Sequence, residues 1–330
     1  MSVLVTGGTG FIGAEVVRLL LKAGEKRVVA FHVSSSMKRL DDVADQGEVV
    51  RGDLGNFSNV LNAVQRTRPS VIFHLGAITS VPSDADPATA MQTNVLGTFH
   101  VLEAARLFDV QQVIFSSSIG TYGLDIRENV IDDCTLQRPE IFYGATKVFC
   151  EHMGLFYKKK YGLDFRGVRY PSIIGAGVRA PGLVQYTSWV IEACAKGNPY
   201  VIWVNPETRF PILYYKDAAR AIIKLRETPL EKIKTVNYVL AGISPVPSAS
   251  ELADAVKSKI PGTQIDFTPI PEIQEMMDMD EYLTAIDDSN AQKEWGWSPE
   301  YSLEAMVDDF LQELKRNPQR YDDPVPSLQL

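Results

Sequence analysis

The first half of the chain alternates short β-branched runs with longer stretches whose apolar residues recur every three to four positions. Ser2–Thr6, Arg27–Val33, Val49–Arg51, Val71–His74 and Gln112–Ser116 read as strands. Phe11–Ala23 places Ile12, Val16, Leu19, Leu20 and Ala23 on one helical face. Further helices are predicted around Ser58–Arg66, over Pro87–Phe108 and over Tyr143–Lys160, with another strand at Asp164–Val168. Strands alternating with helices predict a parallel sheet covered on both faces, the doubly wound Rossmann-type α/β class.

From Pro171 the texture changes. Glycine and proline become frequent, and the helical patterns at Leu183–Ala195, Asp217–Glu227, Ala249–Ile260, Asp287–Glu294 and Leu303–Lys315 are interrupted. Short strands are predicted at Tyr200–Val204 and Thr235–Leu240. The pattern divides the chain into a sheet domain over 1–175 and a smaller mixed α/β lobe over 176–330, with some chain returning to the sheet. Asn317–Leu330 carries three prolines and no periodicity, and reads as a loosely held extension.

Composition narrows the function classes. The 330 residues carry 41 acidic and 33 basic side chains, a net charge of -8. Such a surface repels phosphate backbones and anionic lipid, so neither nucleic acid nor membrane is an expected partner. Cys134, Cys150 and Cys194 are scattered, with no paired spacing for a disulfide framework or a zinc site. No apolar run reaches the length that spans a bilayer, and no basic, apolar leader pattern precedes the first strand. Cytoplasmic residence is the expectation.

Chemistry enters at the first turn. Thr6-Gly7-Gly8-Thr9-Gly10-Phe11-Ile12-Gly13 follows a strand and opens a helix. Gly7 permits the tight turn, Gly10 lets backbone N–H groups approach a pyrophosphate, and Gly13 lets helix and strand pack closely. The helix N-terminus then faces the anion, with Phe11 and Ile12 in its first turn. Asp53, followed by Leu54, is placed after the third strand to accept from an adenine amino group. The end of the second strand reads Phe31-His32-Val33-Ser34-Ser35-Ser36-Met37-Lys38-Arg39, with no acid. A carboxylate there selects a free ribose 2′-hydroxyl. Ser34 and Arg39 instead favour a 2′-phosphate, hence NADP over NAD. His32 could bond a free ribose hydroxyl, which keeps NAD open.

Tyr143 and Lys147 stand at i and i+4 of a predicted helix, on one face. A free phenol has a pKa of about 10, and a neighbouring ammonium together with a cationic nicotinamide favours the phenolate. Such a tyrosine can exchange a proton with an alcohol or ketone while a nicotinamide exchanges hydride. Ser116, Ser117 and Ser118 end a strand at the edge of the sheet where ligands bind. Arg169-Tyr170-Pro171-Ser172 ends another strand and would return beside the nicotinamide.

The ordered series TGGTGFIG, GDL at 52–54, HLGA at 74–77, NVLGT at 94–98, SSSIGTYG at 116–123 and YGATK at 143–147 resembles the extended short-chain dehydrogenases/reductases, the epimerase/dehydratase family. That resemblance implies Ser118 as hydrogen-bond donor to the reacting oxygen, with Ser117 a close alternative. It implies Tyr143 as acid/base and Lys147 as ribose ligand. Leu75, Gly76 and Ala77 would line the adenosine side, Ser116, Tyr170, Pro171 and Ile173 the nicotinamide side, and Asn94 would tie strand ends. It also implies a homodimer through a four-helix bundle built from the helices over 87–108 and 143–160.

Within that group the chain is most similar to the short-chain L-threonine 3-dehydrogenases, through Gln137-Arg138-Pro139, Tyr161 to Arg166 and Glu207 to Pro211. It departs from them where hydroxyls grip the amino acid: the run here is Gly182-Leu183-Val184-Gln185. A small, more apolar alcohol or ketone is therefore expected, contacted by Thr79, Ser80, Ser118, Ile119, Tyr143, Ser172, Leu183, Val184 and Trp189. Tyr186 and Trp203 add to the apolar character, and core packing is the competing reading for all of these aromatic and aliphatic residues. Arg209 is a candidate anion anchor, or else a salt-bridge partner of Asp217 or Glu207. The alternative function is a sugar-nucleotide epimerase holding its NAD tightly. Against it, Ile119-Gly120 and Ser172 stand where sugar-nucleotide enzymes carry acids and a diphosphate-binding Asn.

Overall fold

The computed structural model describes residues 2–34, 36–124, 126, 128–279 and 281–326, without the side chains of Glu281 and Tyr282. Ser35 and residues 327–330 lie outside the described residues. β1 (Ser2–Thr6) leads through the glycine turn into α1 (Phe11–Lys22), then β2 (Arg27–His32), β3 (Glu48–Arg51), α2 (Phe57–Thr67) and β4 (Val71–His74). There follow α3 (Ser80–Ala85), α4 (Pro87–Ala90), a π-helical turn at Met91–Leu96, α5 (Gly97–Leu107), β5 (Gln112–Ser118), α6 (Phe142–Tyr161) and β6 (Asp164–Tyr170). The second half contributes β7 (Ser172–Ile174), α7 (Tyr186–Ala195), β8 (Tyr200–Ile202), β9 (Ile212–Tyr214), α8 (Tyr215–Glu227), β10 (Asn237–Val239), α9 (Ala249–Lys259), β11 (Ile265–Phe267), α10 (Pro271–Met279), α11 (Ser289–Trp295) and α12 (Leu303–Arg316).

Seven parallel strands form the main sheet in the order β10-β6-β5-β4-β1-β2-β3. The winding reverses between β1 and β4, so a crevice opens at the carboxyl ends of these two strands. The sheet is covered on both faces because its strands are apolar on both. Val3 and Val5 pack with Val16, Leu20 and Ile222 of α1 and α8. Leu4, pointing the other way, packs with Val101, Leu102 and Phe165.

The predicted helix over 87–108 is interrupted by its π-turn. That turn carries Asn94, whose side-chain amide accepts from the Ile78 N–H (2.8 Å) and donates to the Ile78 carbonyl (3.0 Å). One widened turn thus staples the chain leaving β4. In the second half β10 joins the main sheet beside β6, while α8 packs on α1. The other elements build a separate core around Trp189, Ile202, Val256 and Phe310. β7 with β9 and β8 with β11 form two small parallel pairs in which β7, β9 and β11 were not foreseen. Each of these strands is three residues long, too short to show a period.

The expected loose tail is corrected over 317–326. Tyr321 is buried, its hydroxyl donating to Glu313 at 2.8 Å. Arg320 is buried as well and bonds Asp41 at 2.6 Å. Charge pairing and one aromatic anchor hold a segment that lacks any helical or strand pattern.

Candidate active site

The glycine turn has the geometry its spacing implies. Gly7 adopts φ +68°, and a Cβ there would lie 2.9 Å from the Gly76 nitrogen. A Cβ on Gly13 would collide with the Gly7 carbonyl. The turn and the Gly76 strand end therefore approach as bare backbone, with no side chain between them. A buried chain of hydrogen bonds fixes this approach. Thr6 Oγ1 meets His74 Nδ1 at 2.8 Å and accepts from the Leu75 and Gly76 N–H groups, while His74 Nε2 meets Thr98 Oγ1 at 2.9 Å. Burial, aided by the charge of Lys147, pushes the His74 pKa down to about 3, so its ring stays neutral with one donor and one acceptor nitrogen.

The other expected cofactor contacts sort by position. Leu54 is buried against Gly76 and Gly97, and Ala77 is half-buried at the same strand end. Asp53 is exposed and caps its own turn, accepting from the Gly55 N–H at 2.8 Å. His32 is half-buried, its pKa lowered by burial, and its Cε1 would lie 3.8 Å from a Cβ on Gly10. Ser34 is exposed and accepts from the Ser36 N–H. Arg39 lies 5.3 Å over the Phe11 ring and donates to the carbonyls of Ala176 and Gly177. Lys38 pairs with Asp322 and Asp323. Neither cation is free.

Ser118 and Tyr143 face one cavity of about 860 Å³ that also meets Phe11, Ile12 and Arg39. The meeting depends on Gly144. A Cβ there would strike the Gly120 carbonyl and lie 2.6 Å from Pro139, so only glycine lets the first turn of α6 settle on the end of β5. Asp84 of α3 accepts from the Phe142 N–H at 2.9 Å and fixes the same helix start. Lys147 is buried, donates to the Ser116 carbonyl at 2.6 Å and has its ammonium 5.5 Å from the Tyr143 ring centre.

Burial acts on both members of this pair. Burial raises the Tyr143 pKa to about 12, the Ser118 hydroxyl only partly offsetting it. Burial also lowers Lys147 to about 8. Desolvation opposes both charged forms at once. The side chains around the phenol do not by themselves make it acidic.

The two serines both line the cavity and differ in their partners. Ser117 is buried and donates to Glu151 at 2.5 Å. Ser118 points to the cavity, accepting from the Gly120 N–H at 3.1 Å. Glu151, one turn beyond Lys147, also pairs with buried Arg169 at 2.7 Å. Arg169 in turn donates to Tyr122 and to the Asp133 carbonyl. This network behind the reacting groups was not foreseen, because its members come from four separate segments.

The opposite wall is apolar. Leu183, Val184, Pro171 and Ile173 line it, and Thr79, Ser80, Ile119 and Ser172 line the same cavity. Ser116 and Tyr170 also reach the cavity, the Tyr170 hydroxyl being tied to Ala218. Met276, Met277, Met279 and Leu283 complete the wall from a segment that carried no motif. Two candidate contacts are corrected. Trp189 is fully buried, donates to the Val178 carbonyl and packs edge-on to Trp203. With Tyr186 it forms the core of the lobe. Arg209 pairs with Glu251 at 2.9 Å, outside the cavity, rather than with Asp217 or Glu207.

The profile of the NAD dependent epimerase/dehydratase family matches residues 3–241. The chain belongs to that family. Among curated relatives of this epimerase/dehydratase chain, the mitochondrial L-threonine 3-dehydrogenase of Bos taurus is 31% identical over 94% of this chain and 81% of its own length. The solved L-threonine 3-dehydrogenase of Trypanosoma brucei superposes with a TM-score of 0.85 at 30% identity, covering 98% of this chain and 99% of that one. A UDP-glucose 4-epimerase of Thermotoga maritima shares the fold, with a TM-score of 0.82 at 23% identity over 96% of this chain and 100% of that one. This family member is a nicotinamide-dinucleotide-dependent oxidoreductase acting on CH–OH groups. Among the described residues, no helix is long and apolar enough to cross a membrane.

Proposed function

We propose that the chain catalyses reversible hydride transfer between a secondary alcohol and its ketone, on a small substrate more apolar than threonine. One observation carries this reading: the Ser118 and Tyr143 hydroxyls share a cavity whose far wall is aliphatic and methionine-rich. A bound dinucleotide supplies or accepts the hydride. Tyr143 moves the proton at the substrate oxygen, and Ser118 donates a hydrogen bond to that oxygen. Lys147 holds the nicotinamide ribose. The glycine-turn backbone, Gly76 and Ala77 hold the pyrophosphate and adenosine, and Pro171 and Ile173 flank the nicotinamide.

An amino acid needs an anchor for its carboxylate. The cations lining the cavity among the described residues are Lys38, Arg39, Arg179 and Arg320. Arg179 pairs with Glu192, and Arg320 with Asp41, Asp42 and Glu313. With Lys38 and Arg39 also engaged, an uncharged substrate end fits better. For the same reason those two residues no longer argue for NADP by themselves. The homodimer belongs to this reading too: Leu96 and Phe99 beside α5 and Phe149 and Phe156 on α6 are exposed apolar residues on packed helices. We place the protein in the cytoplasm, on its acidic charge and three free thiols.

The test is a substrate panel with free NAD and NADP, read by net change in nicotinamide absorbance. Alkyl and aryl ketones should outpace threonine at equal concentration. Efficient threonine oxidation would overturn the apolar reading. Substrate conversion without net cofactor change would point to an epimerase.

A further inference from the structure

One end of the cavity is bordered by residues from the far end of the chain. Beyond α12, residues 317–326 run back across the loop that follows β2. Tyr321 packs against Gly177, whose φ of +73° leaves no room for a side chain: a Cβ would lie 2.8 Å from the Tyr321 ring. The Asp323 carbonyl accepts from Arg179 at 3.1 Å and Lys196 at 2.8 Å. The Asp323 carboxylate is 3.1 Å from the Lys38 ammonium, which Asp322 also contacts. Asp323 lines the same cavity as Ser36, Lys38 and Arg39, whereas Asp322 borders a separate cleft.

The loop after the second strand is where a Rossmann site reads the ribose 2′ position, and an acid there selects the free hydroxyl. This loop has serines and cations but no acid before Asp41. Asp41 and Asp42 are taken up by Arg320 and Arg18, and neither lines the cavity. We infer that Asp323 is a specificity-determining residue that supplies the missing carboxylate from the opposite end of the chain. It opposes a 2′-phosphate directly and, together with Asp322, occupies Lys38, the cation that would otherwise receive one. The site so strapped prefers NAD, and removing the carboxylate turns it toward NADP. The inference rests on the proposed function only in taking this cavity to hold a dinucleotide.

The size of the effect is bounded by exposure. The Lys38 and Asp323 side chains are 35% and 60% exposed, so solvent screens their charges and a shift of about tenfold is expected. The strap should survive the substitution, since its fastenings are the Asp323 backbone carbonyl and the Tyr321 hydroxyl.

The experiment is calorimetric titration of NAD and NADP into the full chain and its Asp323→Asn and Asp323→Ala variants. Binding needs no knowledge of the alcohol. The unaltered protein should bind NAD more tightly. Asp323→Asn should tighten NADP about tenfold, leave NAD within about twofold, and show a smaller shift in high salt. Asp323→Ala, which keeps the backbone carbonyl, should move the same way. An unchanged NAD/NADP ratio would overturn the assignment. Equal tightening of both dinucleotides would also overturn it, since the carboxylate would then act on the shared pyrophosphate. A preference for NADP in the unaltered protein would do the same. If neither dinucleotide binds, the dinucleotide reading beneath it fails first.

Discussion

The cavity has two walls of unlike construction. One is the end of β5 with the first turns of α6, compressed into residues 116–147, polar, and backed by the buried Glu151–Arg169 pair. The other is gathered from Pro171, Leu183, Val184 and Phe210, and from Met276, Met277, Met279 and Leu283. It is apolar and held by shape. A proton-moving group must stand in one place to within a fraction of an ångström, so its wall is locked by directional bonds. A wall that selects a substrate by apolar contact needs only volume and surface, and methionine supplies both with latitude.

The largest expected contrast is chemical. Tyr143→Phe removes only a hydroxyl, and kcat should fall about 10³-fold or more with dinucleotide binding intact. Retained turnover would move the acid/base role elsewhere and dissolve the distinction between the walls. Next comes support. Glu151→Ala leaves Arg169 buried without its carboxylate and frees Ser117, which should cost about 3–5 kcal/mol in urea unfolding. Met279→Ala, at an exposed position on the other wall, should cost less than about 0.5 kcal/mol.

A smaller effect tests how the polar wall is tuned. Under the proposed mechanism the phenol acts as base in oxidation, so the rate should follow its ionised fraction. With Tyr143 held near 12, that fraction rises about tenfold per pH unit between 6 and 8. Lys147, lowered to about 8, discharges above that pH and withdraws the charge that favours phenolate, so the rise should flatten there. Ketone reduction uses the protonated phenol and should change little over the same range. An oxidation profile already flat from pH 6 to 8 would mean that neighbouring positive charge outweighs burial.

The two walls also differ in how far the sequence exposes them. The glycine turn, the serines ending β5 and the Tyr143/Lys147 pair lie in short segments where spacing alone brings side chains together. Most strands of the main sheet were legible because their apolar runs are continuous. The apolar wall was half legible, through Leu183 and Val184. Met276, Met277, Met279 and Leu283 reach it from about a hundred residues away in the chain, with no motif to mark them. Trp189 was drawn into the site because α7 is buried all round. Tyr186 through Cys194 are all buried, so no face of that helix announces which neighbour it serves. Arg209 and Asp323 show the converse: a charge's partner across the fold cannot be read from its sequence neighbours.

The finest test of the comparison is a hydroxyl placed in the apolar wall. Leu183 lines the cavity by its side chain, while its carbonyl accepts from the Trp203 indole at 2.8 Å and holds the loop. Leu183→Thr keeps that carbonyl, removes apolar contact and adds a polar group. KM for an apolar ketone should rise about fivefold to tenfold, on the order of 1 kcal/mol of lost contact, with kcat nearly unchanged. A polar hydroxy acid should gain by a similar factor. A fall in kcat at constant KM would mean that Leu183 positions the reacting atoms. The two walls would then share one task, because a residue that merely fills space affects how tightly a substrate is held, not how fast its oxygen takes a proton.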